Sequence, residues 1–396
     1  MKRTIAIVVP DLSSGGGVPA VAMFLHQVLR QSDRYLPSVI SIAVSSRDRA
    51  SVRLRSLRSW TQGPQVIDGE WQGVPFQHVG SYFAEIEFVR YLPRAPLTDI
   101  VQQYDLIQVV SGTPMFGLSV ASLSKPKCIT VGTTILQDRR SALAAARGAG
   151  KMWKAAMTQV DVLLEHLVLP RVNHVFAQSE YTRRLLEPVV PKGRLSIGWP
   201  GVDTTVFHPG PNFGDKYILS VGRFSDPRKN VRMLLRAYRQ LRQRLPSAPR
   251  LLLAGSAGPT RQDWVLAREL QISEHVAFCQ APSRHELAAL YRDAAIFALS
   301  SDEEGFGVVL AEAMASGVPV VCTRCGGPET IVSDGESGYL TPVGDPEALA
   351  TAMRGLLTHP ELRKRMAEAA RRAAEARFSL AASSAAYLDV YDRLLS

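Results

Sequence analysis

Short apolar runs rich in valine and isoleucine alternate with amphipathic stretches along most of the chain. In the first half the runs are IAIVVP (5–10), VISIAV (39–44), LIQVV (106–110), CITV (128–131) and HVFAQS (174–179). In the second half they are YILSVG (217–222), RLLLAG (250–255), HVAFC (275–279), AIFALS (295–300) and VPVVCT (318–323). Unbroken apolar strands bounded by Gly or Ser, with helical stretches between them, predict parallel sheets covered by helices on both faces. Two such series occur. The segment between them, GWPGVDTTVFHPGPNFG (198–214), is dense in Gly and Pro and reads as an interdomain linker. The expected architecture is α/β with two domains, residues 1–205 and 206–379, followed by a last helix over 380–396 with apolar spacing on one face.

At 396 residues the chain can bury two sizeable cores. The opening MKRTIAIVVPDL has too short an apolar run for a signal peptide and reads as a buried first strand. No run reaches transmembrane length, so we expect a cytoplasmic protein. The four cysteines make a poor disulfide framework, and Cys322 and Cys325 form a CxxC without a second pair to complete a zinc site. Free thiols in a reducing compartment are expected. The net charge of +10 is uneven: residues 1–200 hold 23 Lys+Arg against 14 Asp+Glu, and residues 201–396 hold 23 against 22. Basic residues cluster at 47–58, 124–127 and 139–154. No nucleic-acid motif accompanies them, which argues against a nucleic-acid partner. A solvated face, an anionic substrate and the anionic inner face of a membrane all stay open.

The richest stretch is SSDEEGFGVVLAEAMASG (300–317). Phe306 to Ala315 has helix-forming composition, and Gly317 with Pro319 stops it. Glu304 then sits in the loop before the helix and Glu312 in its second turn. A helix N-terminus can hold an anion. Glu312 lies among Val, Leu, Ala and Met, an expensive place for a carboxylate with no partner. A sugar nucleotide would satisfy all three parts, with phosphates at the helix end and hydroxyls on the acceptor-only carboxylates. An isolated E-x7-E pattern is common by chance, and taken alone two solvated glutamates are the better explanation of it.

Other segments add to it. DLSSGGGVPAVAMFL (11–25) places Gly15, Gly16 and Gly17 between a strand and a helix, without the G-x-G-x-x-G dinucleotide fingerprint. SVGRFSDPRKNVRMLL (220–235) places Arg223 at the carboxyl end of a strand and Arg228, Lys229 and Asn230 at the next helix start. Ligands of open α/β sheets bind beyond that edge, where two cations can clamp a diphosphate. Of the arginines, Arg228 is expected to be the exposed one. LLLAGSAG (251–258) ends another strand in glycines. Ser283 with Glu286 reads as a capping box. The run CGGPETIVSDGESG (325–338) contains Glu329, which caps the short helix it opens.

In this order these segments resemble the retaining glycosyltransferases of family 4, the group 1 glycosyltransferases of GT-B fold. The likeness is strongest from Tyr217 to Val343. It implies two Rossmann-like domains facing a central cleft, the C-terminal one binding a nucleotide-sugar donor and the N-terminal one an acceptor, with the last helix packing back on the N-terminal domain. By matching positions Arg223 and Lys229 would hold the diphosphate and serve catalysis together with Glu304, which would contact sugar hydroxyls. The backbone amides of Phe306, Gly307 and Val308 would approach sugar and phosphate, Glu312 would take the ribose hydroxyls, and Gly16 and Gly17 would close over the donor. The family retains anomeric configuration and generally needs neither metal nor cofactor. Arg223, Lys229 and the helix end can neutralise a departing diphosphate without one.

One departure stands out. Many members carry a histidine after the strand equivalent to CITV, near the donor sugar. Here that region reads Gly132, Thr133, Thr134, so Thr133 or Thr134 is the candidate contact. The expected activity is transfer of a sugar from a nucleoside diphosphate, UDP ahead of GDP, to a glycan, lipid-linked or natural-product hydroxyl. The alternative is a non-catalytic GT-B subunit that binds a sugar nucleotide and supports a partner enzyme. The basic N-terminal half suggests an anionic or membrane-held acceptor.

Overall fold

The computed structural model describes residues 2–12, 16–45, 47–211 and 214–396. The chain divides into two compact units, Met1–Trp199 with Ser384–Ser396, and Pro200–Ser383.

The first unit is built on an eight-stranded sheet. Its strands are β1 (Arg3–Pro10), β2 (Tyr35–Ile42), β3 (Val66–Trp71), β4 (Val74–Val79), β5 (Leu106–Ser111), β6 (Lys127–Val131), β7 (His174–Ala177) and β8 (Leu195–Ile197). They lie in the order β3-β4-β2-β1-β5-β6-β7-β8, parallel throughout except for the β3–β4 hairpin. The helices of this unit are α1 (Gly17–Gln31), α2 (Leu57–Gln62), α3 (Ala95–Val101), α4 (Ile135–Ala145), α5 (Gly148–Val168) and α6 (Glu180–Leu186). Ala6, Val8, Ile40, Ile107, Val109, Ile129 and Val175 form one fully covered layer of core, as unbroken apolar strands require.

The hairpin was not among the expected strands. Val66–Trp71 is mostly exposed and mixes Asp68, Gly69 and Glu70 with apolar residues, so it lacks the buried-strand pattern. Its signal is the two-residue turn Gln72-Gly73, both at positive φ (52° and 78°), the geometry a tight hairpin needs.

The second unit carries six parallel strands: β9 (Tyr217–Val221), β10 (Arg250–Gly255), β11 (Val276–Gln280), β12 (Ala294–Leu299), β13 (Val320–Thr323) and β14 (Gly338–Thr341). Their order is β11-β10-β9-β12-β13-β14. Counted within the unit this is 3-2-1-4-5-6, the doubly wound order, with a switch point between β9 and β12. Its helices are α7 (Val231–Arg244), α8 (Arg261–Glu269), α9 (Arg284–Asp293), α10 (Val308–Ala315), α11 (Pro328–Ile331), α12 (Pro346–Thr358) and α13 (Pro360–Phe378). Leu234, Tyr238, Leu251, Leu253, Ile296 and Met353 are among the core residues packed on this sheet.

The Gly/Pro-rich segment is not a loose tether. Val202, Asp203 and Phe207 are buried, and Val202 forms a bridge with Ser379. The Arg371 guanidinium donates to the Phe207 carbonyl at 2.9 Å, and the Phe207 ring meets Tyr291 edge-on at 5.8 Å.

The last helix, α14 (Leu380–Leu395), returns most of its length to the first unit. Its buried Tyr387 hydroxyl donates to the Gly198 carbonyl at 2.6 Å, and its ring packs on Phe176 at 4.4 Å. Tyr391 donates to Gln108 Oε1 at 2.7 Å, and Asp392 takes hydrogen bonds from Arg34 and Tyr35.

Candidate active site

The carboxyl ends of β9 and β12 flank the switch point of the second unit, and the segments that leave them carry the charged motifs. After β9 the chain turns through Gly222 and Arg223. The aliphatic stem of Lys229 runs over Gly222, whose Cα has Lys229 carbons 3.6 Å from where a Cβ would stand. Lys229 closes a short turn and Asn230 follows it in a left-handed conformation (φ 41°), accepting from the Met233 amide to cap α7. That strained cap is held from the other strand. Asn230 Nδ2 donates to Asp302 Oδ1 at 2.7 Å, the Asp302 amide donates to the Arg228 carbonyl at 2.7 Å, and Ser300 Oγ donates to the Lys229 carbonyl at 3.0 Å. The loop after β9 is therefore bolted to the loop after β12.

These contacts bring Lys229 and Glu304 together. Lys229 Nζ donates to Glu304 Oε1 at 2.5 Å, and Ser301 Oγ donates to the same oxygen at 2.6 Å. Both side chains are largely covered, at 17% and 11% exposure. A charge-assisted bond of this length in a shielded place is strong and directional. Glu304 is fixed by its backbone too, since its amide donates to the Cys325 carbonyl at 3.1 Å and its carbonyl accepts from the Gly327 amide at 2.7 Å. Residue 327 must be glycine here: a Cβ would stand 2.4 Å from the Phe306 carbonyl oxygen.

Gly307 (φ 98°) caps α10, which begins at Val308, so Phe306 lies ahead of the helix instead of opening it. Phe306 is buried and meets Phe378 edge-on at 5.6 Å, so its side chain anchors the loop in the core. Phe306 therefore has no side chain to offer a ligand, whereas the first N–H groups of a helix have no intrahelical acceptor.

Glu312 has the partner its apolar surroundings call for. The buried Tyr291 hydroxyl donates to Glu312 Oε2 at 3.0 Å. Burial pushes the Glu312 carboxyl up to about pKa 7, against the opposite pull of Tyr291 and of the Arg284 charge. No sequence pattern links Tyr291 to Glu312; Tyr291 lies in the last turn of α9, and the packing of α9 on α10 makes the pair.

The two arginines exchange the expected exposures. Arg223 is the more open, at 45% exposure, and lies 3.5 Å from Asp226. Arg228 is 25% exposed and donates to Asp226 at 2.8 Å. Burial raises the Asp226 carboxyl, but the hydrogen bonds and charge of Arg228 outweigh it and hold the group low. Ser283 and Glu286 form a full capping box, and Glu329 accepts from the Gly326 amide at 2.8 Å, as their spacing predicts. The four cysteines are free.

In the first unit the corresponding edge carries the remaining candidates. Gly16 caps α1 with φ 98°, and Gly17 begins it with open space around its Cα; Gly15 lies outside the described residues. The Thr133 amide donates to the Gly112 carbonyl at 2.9 Å, joining the ends of β6 and β5. Thr134 caps α4 without a side-chain bond, and both threonines are buried. Among the described residues no group of three His, Cys, Asp or Glu side chains is placed to hold a metal ion.

The model of the family described as Glycosyl transferases group 1 matches residues 203–373, the segment that contains Arg223, Lys229, Tyr291, Glu304 and Glu312. The MMP alpha-(1->4)-mannosyltransferase of Mycolicibacterium hassiacum is 30% identical over 292 residues, 70% of this chain and 68% of that protein. The chain belongs to the group 1 glycosyltransferases. D-inositol 3-phosphate glycosyltransferase 2 of Catenulispora acidiphila is 38% identical over 221 residues, 51% of each chain, so the match spans about half the length of that relative. Among solved structures, sucrose-phosphate synthase from Thermosynechococcus elongatus aligns over 99% of both chains with a TM-score of 0.75 at 20% identity. HepE from Anabaena, solved in complex with UDP and glucose, covers 99% of this chain and 100% of its own with a TM-score of 0.69 at 17% identity. At such identities the likeness establishes the fold, two parallel-sheet domains of GT-B type.

Proposed function

We propose that this group 1 glycosyltransferase transfers a sugar from a nucleoside-diphosphate sugar to an acceptor hydroxyl with retention of configuration and without a metal. The observation that carries the reading is the Lys229–Glu304 pair, held between the carboxyl ends of β9 and β12 beside the N-terminus of α10. Lys229 and the more exposed Arg223 bind the diphosphate and stabilise the negative charge that develops on it as the glycosidic bond breaks. Glu304, freed in part from Lys229 when phosphate arrives, accepts hydrogen bonds from sugar hydroxyls. Glu312 accepts from the ribose hydroxyls, with Tyr291 holding one of its oxygens. In a front-face displacement a phosphate oxygen of the leaving group takes the acceptor proton, so no protein base is required. Gly16, Gly17, Thr133 and Thr134 are the first unit's candidates for substrate contact.

UDP and GDP are the nucleotides to test, the first because a GT-B neighbour is solved with UDP. An acceptor bearing negative charge, presented at an anionic membrane, fits the basic first half of the chain, and a relative of this family is named for inositol 3-phosphate. Thermal-shift screening of nucleotide sugars should single out one donor, since a ligand of the folded state raises the midpoint by mass action. That donor should then be hydrolysed slowly in the absence of acceptor, with the released sugar first appearing in the donor's anomeric configuration by NMR. Glu304→Gln should slow this hydrolysis by roughly a hundredfold or more. Equal rates in Glu304→Gln and the parent would overturn the role of Glu304. Tight donor binding with no hydrolysis would instead favour the non-catalytic subunit, the reading that the Gly132-Thr133-Thr134 replacement supports.

A further inference from the structure

The ammonium of Lys229 is aimed by the residue that follows it. Asn230 is left-handed (φ 41°, ψ 51°), a conformation that glycine adopts freely and most other residues do not. A glycine here would remove the strain, so the asparagine side chain has a use of its own. Both its ends are engaged. Oδ1 accepts from the Met233 amide at 3.2 Å, and Nδ2 donates to Asp302 Oδ1 at 2.7 Å. The first bond is a helix cap that serine or aspartate could also make. The second needs an N–H donor, and among residues that tolerate this backbone and cap a helix asparagine supplies one. Asn230 is therefore matched to Asp302 and not to α7 alone.

Asp302 is matched in return. It is half-buried, and among the described residues no cation pairs with it. Burial pushes its carboxyl up, and the Asn230 amide opposes this without cancelling it. The loops do not need this side-chain pair to stay together. The Asp302 amide already donates to the Arg228 carbonyl at 2.7 Å, and Ser300 Oγ stands 3.0 Å from the Lys229 carbonyl and 3.1 Å from that of Asn230. What the side-chain pair adds is the orientation of the left-handed turn, and with it the direction in which residue 229 leaves the backbone. That direction matters because Lys229 Nζ meets Glu304 Oε1, which Ser301 and two backbone bonds hold in place. A half-buried carboxylate without a cation is a cost, and one kept two residues from Glu304 has placement of the site as its reason.

We propose that Asp302 is a positioning residue of the transfer reaction. Through Asn230 it sets the backbone turn that directs Lys229 at the donor diphosphate, and it acts on the substrate only through Lys229. The proposal rests on the role of Lys229 in stabilising diphosphate charge.

Hydrolysis, by the full chain, of the nucleoside-diphosphate sugar that thermal-shift screening selects is the measurement. Asp302→Ala should lower kcat by roughly tenfold or more. It should change the donor KM by less than about threefold, since a misaimed cation forfeits mainly transition-state stabilisation. In a Lys229→Ala background the same change should alter turnover by less than about twofold, because the residue it positions is gone. The midpoint of unfolding should fall equally in both backgrounds, which separates the effect of the tie on stability from its effect on rate. Asp302→Asn keeps an oxygen that accepts from Asn230 and should bring kcat back to within about threefold of the parent. Asn230→Gly keeps the backbone turn without the link and should be slowed like Asp302→Ala. Equal losses of turnover in both backgrounds overturn the proposal and leave the pair a structural tie. So does an Asp302→Asn protein as slow as Asp302→Ala, which would assign the effect to the charge and not to the bond. A parent that hydrolyses no donor, or a Lys229→Ala protein as fast as the parent, overturns the reading of Lys229 itself, and this proposal with it, before Asp302 is changed.

Discussion

The parallel strands of the two units follow one winding, which the first extends with the β3 edge strand and β8, and the units use it differently. In the second unit the segments leaving β9 and β12 are cross-braced, and its polar and charged groups Lys229, Glu304, Asn230, Asp302 and Asp226 all meet partners across a loop or turn. Its surface is ordinary: Val265 and Val343 are its sole exposed large hydrophobics among the described residues. Every other exposed large hydrophobic among the described residues belongs to the first unit, including Leu57, Trp60, Met152 and Trp153. The first unit also carries most of the net positive charge and a buried guanidinium, Arg94, that makes no hydrogen bond. One sheet topology fixes where a ligand can meet the backbone. What lies around that edge differs, with braced charge in the second unit and exposed apolar residues in the first.

The sharpest way to break this contrast is to remove the brace. Lys229→Ala should lower donor turnover by about 10²–10³, the scale of removing one group that stabilises transition-state charge. It should leave the midpoint of unfolding lower as well, because Glu304 loses a partner in a shielded place while Ser301 still donates to it. Combining it with Glu304→Gln should cost little more than either alone, since the two act as a unit. Additive losses would mean that Lys229 and Glu304 work apart and that the pairing is incidental. Steady-state kinetics on the four proteins decides it.

Much of the second unit was legible because its elements are local. Each strand is a short run rich in apolar residues, β9, β10 and β12 run up to Gly or Ser, and Arg223, Lys229 and Glu304 are written in the loops that follow β9 and β12, so topology puts them on one edge. What could not be read needed tertiary structure. Tyr291 reaches Glu312 only because α9 packs on α10. The exposures of Arg223 and Arg228 turn on Asp226 selecting Arg228. Phe306 falls outside the helix because Gly307 takes a left-handed cap. In the first unit the hairpin β3–β4 escaped because exposed strands lack an apolar run. The buried carboxylates of α5 escaped because the burial of Asp161 and Glu165 follows from Arg139 and the start of α4, not from the periodicity of α5 itself.

Glu312 offers a middle-sized test of the claim that the second unit is built for a ligand at some cost to itself. Its folded pKa of about 7 stands above the unfolded value near 4.5. Between these values the folded protein holds a proton that the unfolded chain has released, so stability falls as pH rises through this window. Glu312→Gln keeps an acceptor for Tyr291 and carries no charge. It should flatten that pH dependence and stabilise the protein above pH 7 by up to about 3 kcal/mol. Donor affinity should fall by roughly tenfold if Glu312 accepts from ribose hydroxyls. Denaturant unfolding at several pH values, with donor titration at pH 8, measures both. Unchanged donor affinity beside increased stability would make Glu312 a structural liability without a ligand role.

The smallest expected effect tests the first unit. Arg94 stands between β4 and α3 at 3% exposure, with all three guanidinium nitrogens buried and without a hydrogen-bond partner. Burial pushes its pKa down to about 10, with the charge of Asp48 acting the other way. A cation so placed opposes folding. Asp48 does not depend on it, because His78 Nε2 lies 2.8 Å from one of its oxygens and Ser51 Oγ donates to the other at 2.9 Å. Arg94→Met keeps the length of the stem and removes the charge without orphaning Asp48. It should therefore raise stability by roughly 1 kcal/mol, a gain of the kind seen when buried charge is replaced by apolar volume. In the second unit the same operation on Lys229 goes the opposite way, since Glu304 does depend on its partner. If Arg94→Met instead destabilises by a comparable amount, Asp48 is drawing on Arg94 through space, and the buried cations of the two units are held by the same logic after all.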